Sequence, residues 1–402
     1  MKLAVIVTEF PKTTETFIAR DLMAFRAAGA DLRLYHAAPW RDDQILHRFA
    51  APLAEHARHV PLGAPSTLAA AARHPRAFAR RAAAIARHQS VDPAIAAKSL
   101  ALLPAGLRLG EELRDWGATH VHAEFAGHPA TLAWIAHAVS GVPYSVSCRA
   151  HDIFRSQALL AEKFAEASAV RAVSGFAARF IGETVRGMRA DEIHVIHSSV
   201  DVADIVPLPP FSGAGFPILY VGALQSRKGV DVLLRAVAGL DGEWSLEIVG
   251  DGPERARLEG LARRLDLDHR VAFRGQTGYE EIAAKYAGAA VCVAPSVIGP
   301  GGRTEGIPNV MIEALAYRRP AISTNLSGIP ELIRHRETGW LTEAGDVEGL
   351  RAALREVRAD PEAAARIAAR GRAHVAAEFD LATNARRQLA LFGPAHPRSR
   401  AA

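Results

Sequence analysis

The chain alternates short apolar runs with longer segments in which apolar residues recur every three or four positions. Short apolar runs are typical of buried strands, and the longer amphipathic segments are typical of helices that cover a sheet. Regular alternation of the two predicts doubly wound α/β domains with parallel sheets. In the first half of the chain, we expect strands at residues 2–8, 31–36, 120–124, 144–148, 169–173 and 193–197.

The same alternation restarts after residues 206–215, a segment rich in proline and glycine that is typical of a linker. Beyond it, strands are expected at residues 218–221, 246–249, 271–273, 291–294 and 321–323. A length of 402 residues also suits two domains better than one core. We therefore place a first domain at residues 1–205 and a second, nucleotide-binding type of domain at residues 206–379.

Two carboxylates, Glu305 and Glu313, flank the most informative segment of the second domain. A turn at residues 306–308 leads into a predicted helix at residues 309–316, for which Asn309 is a suitable N-cap. The free N–H groups and the positive dipole end of such a helix attract an anion such as a diphosphate. Because like charges repel, the two carboxylates are better suited to hold hydroxyl groups on either side of that anion. The segment therefore predicts a nucleotide-sugar site.

A pair of cations, Arg227 and Lys228, follows the predicted strand at residues 218–221 and opens the next helix. Ligands of open α/β sheets bind beyond the carboxyl ends of the strands, so these cations are placed to neutralise charge on the diphosphate. Taken without its surroundings, such a pair is equally typical of a solvated surface and of a binding site. No Asp-x-Asp run occurs in a fitting loop, so we expect metal-independent chemistry and no cofactor.

Together these motifs resemble the retaining glycosyltransferases of family four, which have the GT-B architecture of two Rossmann-like domains facing across a cleft. The opening run is similar to that of members that build bacterial exopolysaccharides. The segments that carry the resemblance are residues 10–17 (Phe-Pro-Lys-Thr-Thr-Glu-Thr-Phe), 221–229 (Val-Gly-Ala-Leu-Gln-Ser-Arg-Lys-Gly), 232–236, 295–296, 305–313, 323–324 and 327–331. The resemblance implies transfer of a hexose from a UDP- or GDP-sugar to a hydroxyl of a lipid-linked oligosaccharide or polysaccharide, with retention.

The resemblance also assigns roles within the donor site. Glu313 would accept hydrogen bonds from the ribose hydroxyls, and Glu305 would contact the transferred sugar. The family usually has arginine where this chain has Ala223, and we expect Arg227 to compensate. The other residues implied in donor binding are Gly222, Lys228, Arg274, Gly275, Gly306, Ile307, Asn309 and Val310.

In the first domain, residues 147–152 follow a strand and lie where the family places a histidine near the donor sugar. Either His151 or Arg149 would fill that catalytic position, and the sequence leaves both open. His122 and Glu124 lie in the second half of the preceding strand and either face the cleft or serve the core.

Two further features of the first domain follow from the resemblance. Glu15 and Thr16 would face the acceptor, although Thr16 is also suited to cap a helix. A final helix at about residues 380–392 would pack back onto this domain.

Two rival functions stay open at this point. A nucleotide-sugar 2-epimerase shares the two-domain architecture and needs no acceptor. A degenerate subunit that binds the donor without transferring it is suggested by Ala223 and Arg149, which depart from the usual family pattern.

The composition is that of an ordinary soluble protein, with 49% hydrophobic and 23% charged residues. No apolar run approaches the roughly 20 residues that span a bilayer. A strand is expected directly at the N-terminus, without the basic and apolar regions of a secretory signal, which favours the cytoplasm. Cys148 and Cys292 lie in strand-like segments and are expected to be buried, reduced thiols.

The formal charge of +5 is unevenly spread. Residues 56–91 contain six arginines and no Asp or Glu, and residues 68–88 form a predicted alanine-rich helix with Phe78 and Ile85 on or near one face. Such a helix either lies peripherally on anionic lipid or is simply solvated. Because aromatic residues are not interleaved with the arginines, we expect no nucleic-acid partner.

Overall fold

The computed structural model describes residues 1–12, 15–41, 44, 46–89, 92–154, 156–302 and 304–393, with the backbone only at residues 150, 151, 279 and 280. The chain divides into two compact units, of which the first comprises Met1–His197 and the segment from Ala382, and the second comprises Ser198–Leu381. Each unit contains one parallel sheet with helices packed against it. The predicted fold class, two Rossmann-like α/β domains, is confirmed.

The first unit contains strands β1 (Lys2–Val7), β2 (Asp31–His36), β3 (Ala57–His59), β4 (His120–Glu124), β5 (Tyr144–Cys148), β6 (Ala169–Ala172) and β7 (His194–Val195). They form a sheet in the order β3-β2-β1-β4-β5-β6-β7, with parallel pairings throughout the described strands. Its helices are α1 (Thr16–Ala27), α2 (Pro65–Arg73), α3 (Pro75–His88), α4 (Pro93–Trp116), α5 (His128–Ser140), α6 (Ala150–Phe154), α7 (Leu160–Glu166) and α8 (Gly175–Thr184), joined by α16 (Leu381–Leu391) from the C-terminal end.

The apolar runs are continuous because the central strands are buried on both faces. Leu3 and Val5 of β1 pack into the core beneath α1, whereas Ala4 and Ile6 pack into the core formed with α4 and α5. A strand covered on both sides has no polar face, which is why β1 lacks polar alternation. The strand order reverses between β1 and β4, and such a switch point is where open α/β sheets bind ligands.

The single alanine-rich helix predicted at residues 68–88 is wrong. The segment forms two helices, α2 and α3, because Pro75 cannot continue a helix from the preceding turn. The expected lipid-facing side is internal: Ile85 is fully buried in the core and Phe78 packs against it. Arg81 is also buried, in an ion pair. This helix face is therefore not available to a membrane.

The second unit contains strands β8 (Pro217–Val221), β9 (Ser245–Val249), β10 (Val271–Gly275), β11 (Val291–Ala294), β12 (Ala321–Thr324) and β13 (Trp340–Thr342). They form a parallel sheet in the order β10-β9-β8-β11-β12-β13. Its helices are α9 (Val230–Ala238), α10 (Arg255–Arg264), α11 (Tyr279–Ala287), α12 (Asn309–Ala316), α13 (Ile329–Leu332), α14 (Val347–Ala359) and α15 (Pro361–Glu378).

The division after His197 lies earlier than the boundary predicted at residue 205. The Val200 N–H donates to the Phe379 carbonyl at 3.0 Å, and the Leu381 N–H donates to the Val200 carbonyl at 2.9 Å. Val200 and Ile205 are also buried in a core of the second unit. These contacts assign residues 198–205 to the second unit, and the proline-rich segment that follows does not mark the boundary.

Helix α16 belongs to the first unit although it ends the described chain. Phe392, just beyond the helix, stacks on His120 with ring centroids 4.8 Å apart and contacts Phe25 edge-on at 5.7 Å. Within α16, Gln388 is fully buried and accepts a hydrogen bond from Arg171 at 2.7 Å. The C-terminal helix therefore completes the first unit's core.

The short strands β3 and β13 were not expected, since each has three residues and no clear apolar run. Cys148 and Cys292 are buried free thiols, as predicted. Within the described part of the chain, no helix combines the length and the apolar character that crossing a bilayer requires.

Close packing of α15 on α12 generates the first prediction. A Cβ at Gly371 would lie 2.6 Å from both Leu315 Cδ2 and the Thr338 carbonyl oxygen, so alanine there forces the helices apart. We expect Gly371→Ala to destabilise the second unit by about 1–3 kcal/mol in urea denaturation followed by circular dichroism. The matched control is Gly260→Ala in α10, where the nearest atom is a flexible arginine end at 3.5 Å. It should be neutral or stabilising by up to about 1 kcal/mol, and equal losses for both variants would contradict this packing.

Candidate active site

Helix α12 supplies the anion-binding end predicted from the sequence. It begins at Asn309, and Pro308 occupies the N-cap position with φ −66° and ψ 120°. The prediction of Asn309 as N-cap is therefore wrong, because Pro308 sets the entry of the chain and its carbonyl accepts from Met311 at 2.9 Å. No described side chain caps this end. The first-turn N–H groups of α12 are thus suited to an external acceptor.

The Glu305 carboxylate lies between two cations. Its Oε1 is 3.0 Å from Arg227 Nη1, and its Oε2 is 2.5 Å from Lys228 Nζ. The Glu305 side chain is only 14% exposed. We call these three side chains the Glu305 clamp. Two positive charges against one negative charge leave the clamp with a net positive charge beside the loop that leads into α12.

The clamp also fixes the protonation state of Glu305. Burial by itself raises the pKa of this carboxyl, but the charges and hydrogen bonds of Lys228 and Arg227 outweigh burial. The pKa of Glu305 is consequently held below its ordinary value, so the carboxylate is ionised at neutral pH. It can accept a hydrogen bond from a sugar hydroxyl, and it cannot act as a proton donor there.

The backbone holds the two cations in place. Gly229 ends their short turn with a left-handed φ of +67°, and a Cβ there would lie 1.9 Å from the Pro295 carbonyl oxygen. Only glycine permits this approach. The Val297 N–H also donates to the Arg227 carbonyl at 2.9 Å. The loop after β8 is therefore joined to the loop after β11, which precedes Glu305 in the chain.

Glu313 lies within α12 and contacts a buried tyrosine that the sequence did not reveal. Tyr286 Oη is 3.2 Å from Glu313 Oε2 and 3.1 Å from the Val310 carbonyl oxygen. Burial, together with the negative charge of Glu313, raises the pKa of Tyr286 well above its ordinary value. The hydroxyl thus stays neutral and is able to donate to Glu313. Tyr286 stacks on Tyr317 with centroids 4.8 Å apart, which restricts its orientation.

Glycines line the carboxyl ends of β8, β9 and β10. A Cβ at Gly250 would lie 2.0 Å from the Gly222 carbonyl oxygen, and the Gly250 N–H donates to the Gly275 carbonyl at 2.7 Å. A Cβ at Gly252 would likewise lie 2.4 Å from the Leu224 carbonyl oxygen. Gly222 and Gly275 were predicted, whereas Gly250 and Gly252 were missed although a Gly-Asp-Gly-Pro run directly after an apolar strand signals them. These glycines are half-buried, and their close approaches hold the loops after β8, β9 and β10 against one another.

The remaining predicted donor residues differ in surroundings. Arg274 is exposed, and its side chain pairs with Glu247 at 2.9 Å, so only its backbone is placed with the glycines. Ile307 and Val310 pack partly against the core under α12, which fixes the loop and the first turn. Gly306 is half-buried between Glu305 and Ile307.

Arg149 of the first unit lies in a buried ion-pair network. Its Nη2 is 3.0 Å from Glu124 Oε2 and 3.6 Å from Asp21 Oδ2, and its guanidinium lies 4.3 Å from the Phe17 ring centroid. Burial favours a raised pKa for Glu124, but the charge of Arg149 outweighs it and holds the pKa far below its ordinary value, with His122 3.6 Å from the other carboxylate oxygen. Glu124 and His122 thus serve this network, and Arg149 is tied to carboxylates rather than exposed.

Arg171 joins the network from β6. It lies 3.7 Å from Asp21 Oδ2 and donates to Ser147 Oγ at 3.1 Å. Burial and the like charge of Arg149 lower its pKa to about 10. Neither Asp21 nor Arg171 was predicted, because neither belongs to a recognisable motif: Asp21 lies beside Arg20 in an ordinary amphipathic helix, and Arg171 is the single charge of a short strand.

The segment that carries His151 is α6, and the His151 side chain lies outside the described residues. The next residue, Asp152, accepts hydrogen bonds from the N–H groups of Arg149 at 2.8 Å and Ala126 at 2.5 Å. It therefore joins the loops after β4 and β5. Burial raises the pKa of Asp152 to about 7 although these hydrogen bonds oppose the rise. Burial lowers the pKa of Lys163, which donates to the Ala126 carbonyl, to about 8.

Glu15 lies at the N-cap position of α1, and Thr16 is the first helical residue. The alternative that Thr16 caps the helix is therefore wrong. Glu15 pairs with Lys12 at 3.1 Å, and Lys12 lies 3.5 Å from Glu9. Burial raises the pKa of Glu15, and Lys12 opposes part of this rise. Residues 13 and 14 of the opening motif lie outside the described residues.

The structure thus brings together Glu305, Arg227 and Lys228 in the second unit and places Glu313 further along the helix that follows. Arg149, Glu15 and Thr16 lie in the first unit.

Comparison with known proteins connects this geometry to an enzyme class. Residues 211–374 match the family model described as glycosyl transferases group 1. An uncharacterised glycosyltransferase of Haemophilus influenzae is 37% identical over 135 residues, which cover 33% of this chain and 36% of that protein. The amylovoran biosynthesis glycosyltransferase AmsK of Erwinia amylovora is 34% identical over 166 residues, which cover 40% and 41%. The matches thus span about two fifths of the length of these curated relatives.

A solved structure is similar along nearly the whole chain. Alr3699/HepE of Anabaena in complex with UDP has a TM-score of 0.74 and 18% identity, and the match covers 97% of this chain and 99% of that chain. At 18% identity, this structural match establishes the fold alone, and the fold is the GT-B class that was predicted.

The Tyr286 contact generates a prediction for the donor site. Tyr286→Phe removes the hydroxyl next to Glu313 while keeping the stacked ring, so Glu313 loses a hydrogen-bond donor that orients it. We expect about 3- to 10-fold weaker UDP binding by calorimetry, as for the loss of one hydrogen bond to a charged group. The matched control is Tyr35→Phe, which removes a hydroxyl bonded to Glu112 in the first unit. Unchanged UDP affinity in Tyr286→Phe would contradict a role for the Tyr286 hydroxyl.

Proposed function

We propose that this protein is a retaining, metal-independent glycosyltransferase that moves a hexose from a nucleoside-diphosphate sugar to a hydroxyl of a lipid-linked or polymeric glycan. The carrying observation is the Glu305 clamp, in which Arg227 and Lys228 lie 3.0 and 2.5 Å from a carboxylate that shortly precedes the uncapped start of α12 in the chain. The matching family model covers this segment. The solved UDP complex of a protein with the same fold makes uridine diphosphate the first nucleotide to test.

In this proposal the second unit holds the donor. The diphosphate accepts from the first-turn N–H groups of α12 and from Arg227 and Lys228. Glu313, oriented by Tyr286, accepts from the ribose hydroxyls. Glu305 exchanges part of its contact with the cations for a hydroxyl of the transferred sugar. The base lies against the glycine-lined loops after β8, β9 and β10.

The transfer step needs no carboxylate nucleophile. The acceptor hydroxyl attacks the anomeric carbon on the face from which the diphosphate departs, so configuration is retained. The bond from that carbon to the diphosphate oxygen breaks, and the departing phosphate takes the hydroxyl proton. Asp21 and Glu124 of the first unit are buried against Arg149, which is consistent with a structural role for these carboxylates.

The relative named for amylovoran biosynthesis supports a polysaccharide product, and we place this protein in exopolysaccharide or cell-envelope assembly. We propose that His151, with Arg149 positioning its loop, completes the site from the first unit, and that Glu15 and Thr16 lie on the acceptor side.

Donor turnover with product stereochemistry tests the function. The protein is incubated with α-configured UDP-glucose, UDP-galactose or GDP-mannose and a lipid-linked glycan extract in the presence of EDTA. Proton NMR should show an α-linked product and released nucleoside diphosphate. Donor isomerisation without acceptor would establish the epimerase alternative, and tight donor binding without release would establish a degenerate subunit. Either result would overturn the proposal.

Separating Glu305 from its cations generates a prediction. Glu305→Gln removes the carboxylate that competes with phosphate for Arg227 and Lys228, so UDP should bind as tightly as to wild type or more tightly. Transfer should fall at least about 100-fold, because the contact to the reacting sugar is lost. Calorimetry with UDP and a nucleotide-release assay measure the two effects. Loss of UDP binding together with activity would mean that Glu305 serves only to hold the cations.

The neighbouring cations generate a second prediction. Lys228→Ala and Arg227→Ala should each weaken UDP binding by roughly 10- to 100-fold, as expected for a charged hydrogen bond to phosphate. A similar loss in both variants is the result expected if Arg227 compensates for Ala223. Arg263→Ala, at an exposed position of α10, is the matched control and should bind normally. Wild-type affinity in Arg227→Ala would remove Arg227 from the donor site.

A further inference from the structure

Trp40 is an exposed aromatic side chain held in a fixed position. It lies in the segment after β2 and is 42% exposed. Its ring contacts Phe10 edge-on, with centroids 5.7 Å apart at 78°, and His36 at 6.3 Å and 68°. Phe10 and His36 are themselves buried. An aromatic ring anchored on two sides presents a rigid apolar surface that loses little conformational freedom on binding.

Three of the other four tryptophans are buried and have paired indole N–H groups. Trp134, Trp244 and Trp340 are at most 7% exposed, and their indole N–H groups donate to Glu166, the Leu240 carbonyl and Glu356. The ring of Trp116 is covered by Arg33 at 4.2 Å. Among the described residues, the Trp40 indole nitrogen has no acceptor. Trp40 therefore combines an open ring surface with an available donor.

Phe10 connects this ring to a pocket whose polar groups suit sugar hydroxyls. Phe10, which contacts Trp40, also lines a shallow pocket with Glu9, Lys12 and Glu15. The two carboxylates and the ammonium between them provide acceptors and donors in that pocket. The segments follow the carboxyl ends of β1 and β2, which is the ligand-binding edge of an open parallel sheet.

We propose that Trp40 and Phe10, with Glu9, Lys12 and Glu15, form a binding subsite for a pyranose ring of the acceptor glycan. The apolar C–H face of the sugar stacks on the indole, whose ring face carries negative potential, and the hydroxyls at the ring edge contact the charged groups. That the bound sugar is an acceptor rests on the proposed function, whereas the sugar-binding property rests on the geometry alone.

Saturation-transfer NMR on the full chain tests the subsite with methyl glucoside, methyl galactoside, methyl mannoside and maltotriose. At least one probe should receive saturation, strongest at the C–H protons of one ring face. Trp40→Ala should weaken that binding by roughly tenfold, and Trp40→Phe should retain part of it. The matched control is Leu68→Ala, which shortens a still more exposed apolar side chain in α2 and should bind as wild type.

Calorimetry with UDP on the same variants separates this proposal from the donor site. If UDP binds normally but the sugar signals are equal in wild type and Trp40→Ala, the subsite is contradicted and the proposed function is unaffected. The same holds if UDP binds normally and no sample gives a sugar signal. A sugar signal that depends on Trp40 while UDP does not bind supports the subsite and contradicts the proposed function.

Discussion

The buried ion pairs of Glu305 with Arg227 and Lys228 are the interaction on which the donor site depends. A carboxylate removed from water is costly unless charged partners compensate it, and here two cations do so at hydrogen-bond distance. The same pairing holds both cations in place before any ligand arrives. A site with charges already oriented stabilises a leaving diphosphate without reorganising when the reaction occurs. When a diphosphate replaces the carboxylate as the partner of the cations, Glu305 becomes available to accept a hydrogen bond from a sugar hydroxyl.

The rest of the second unit keeps this clamp beside α12. Gly229 allows the turn that carries the cations to approach Pro295, and Gly371 allows α15 to press directly against α12. Tyr286 holds Glu313 further along the same helix. The first unit uses a comparable device, since Asp152 and the Arg149 network fix its loops from within. In both units, buried charge orders the ends of parallel strands.

The sequence predicted the sheets well because strands covered on both faces read as continuous apolar runs. Helix α12 and strands β2, β4, β5 and β11 begin and end where the pattern placed them. Short edge strands were not predicted, because two or three residues are too few to show a repeating pattern of apolar and polar positions. At Pro75 the prediction failed for another reason: the alanine- and arginine-rich composition on both sides of the proline is the same, so two helices were predicted as one. The unit boundary depended on backbone pairing of Val200 with Phe379, a long-range contact that composition does not encode.

The candidate site divides in the same way. Motif spacing indicated Glu305, Glu313, Arg227 and Lys228, whereas Tyr286, Asp21 and Arg171 act through contacts distant in sequence and gave no local signal.

The central claim is that the end of α12 and its clamp bind a nucleoside diphosphate. Calorimetry with UDP, GDP and ADP in EDTA, on wild type and Glu313→Ala, tests it most directly. The account predicts selective binding to wild type that is strongly weakened in the variant, and absence of binding by all three nucleotides to the folded wild type would contradict it.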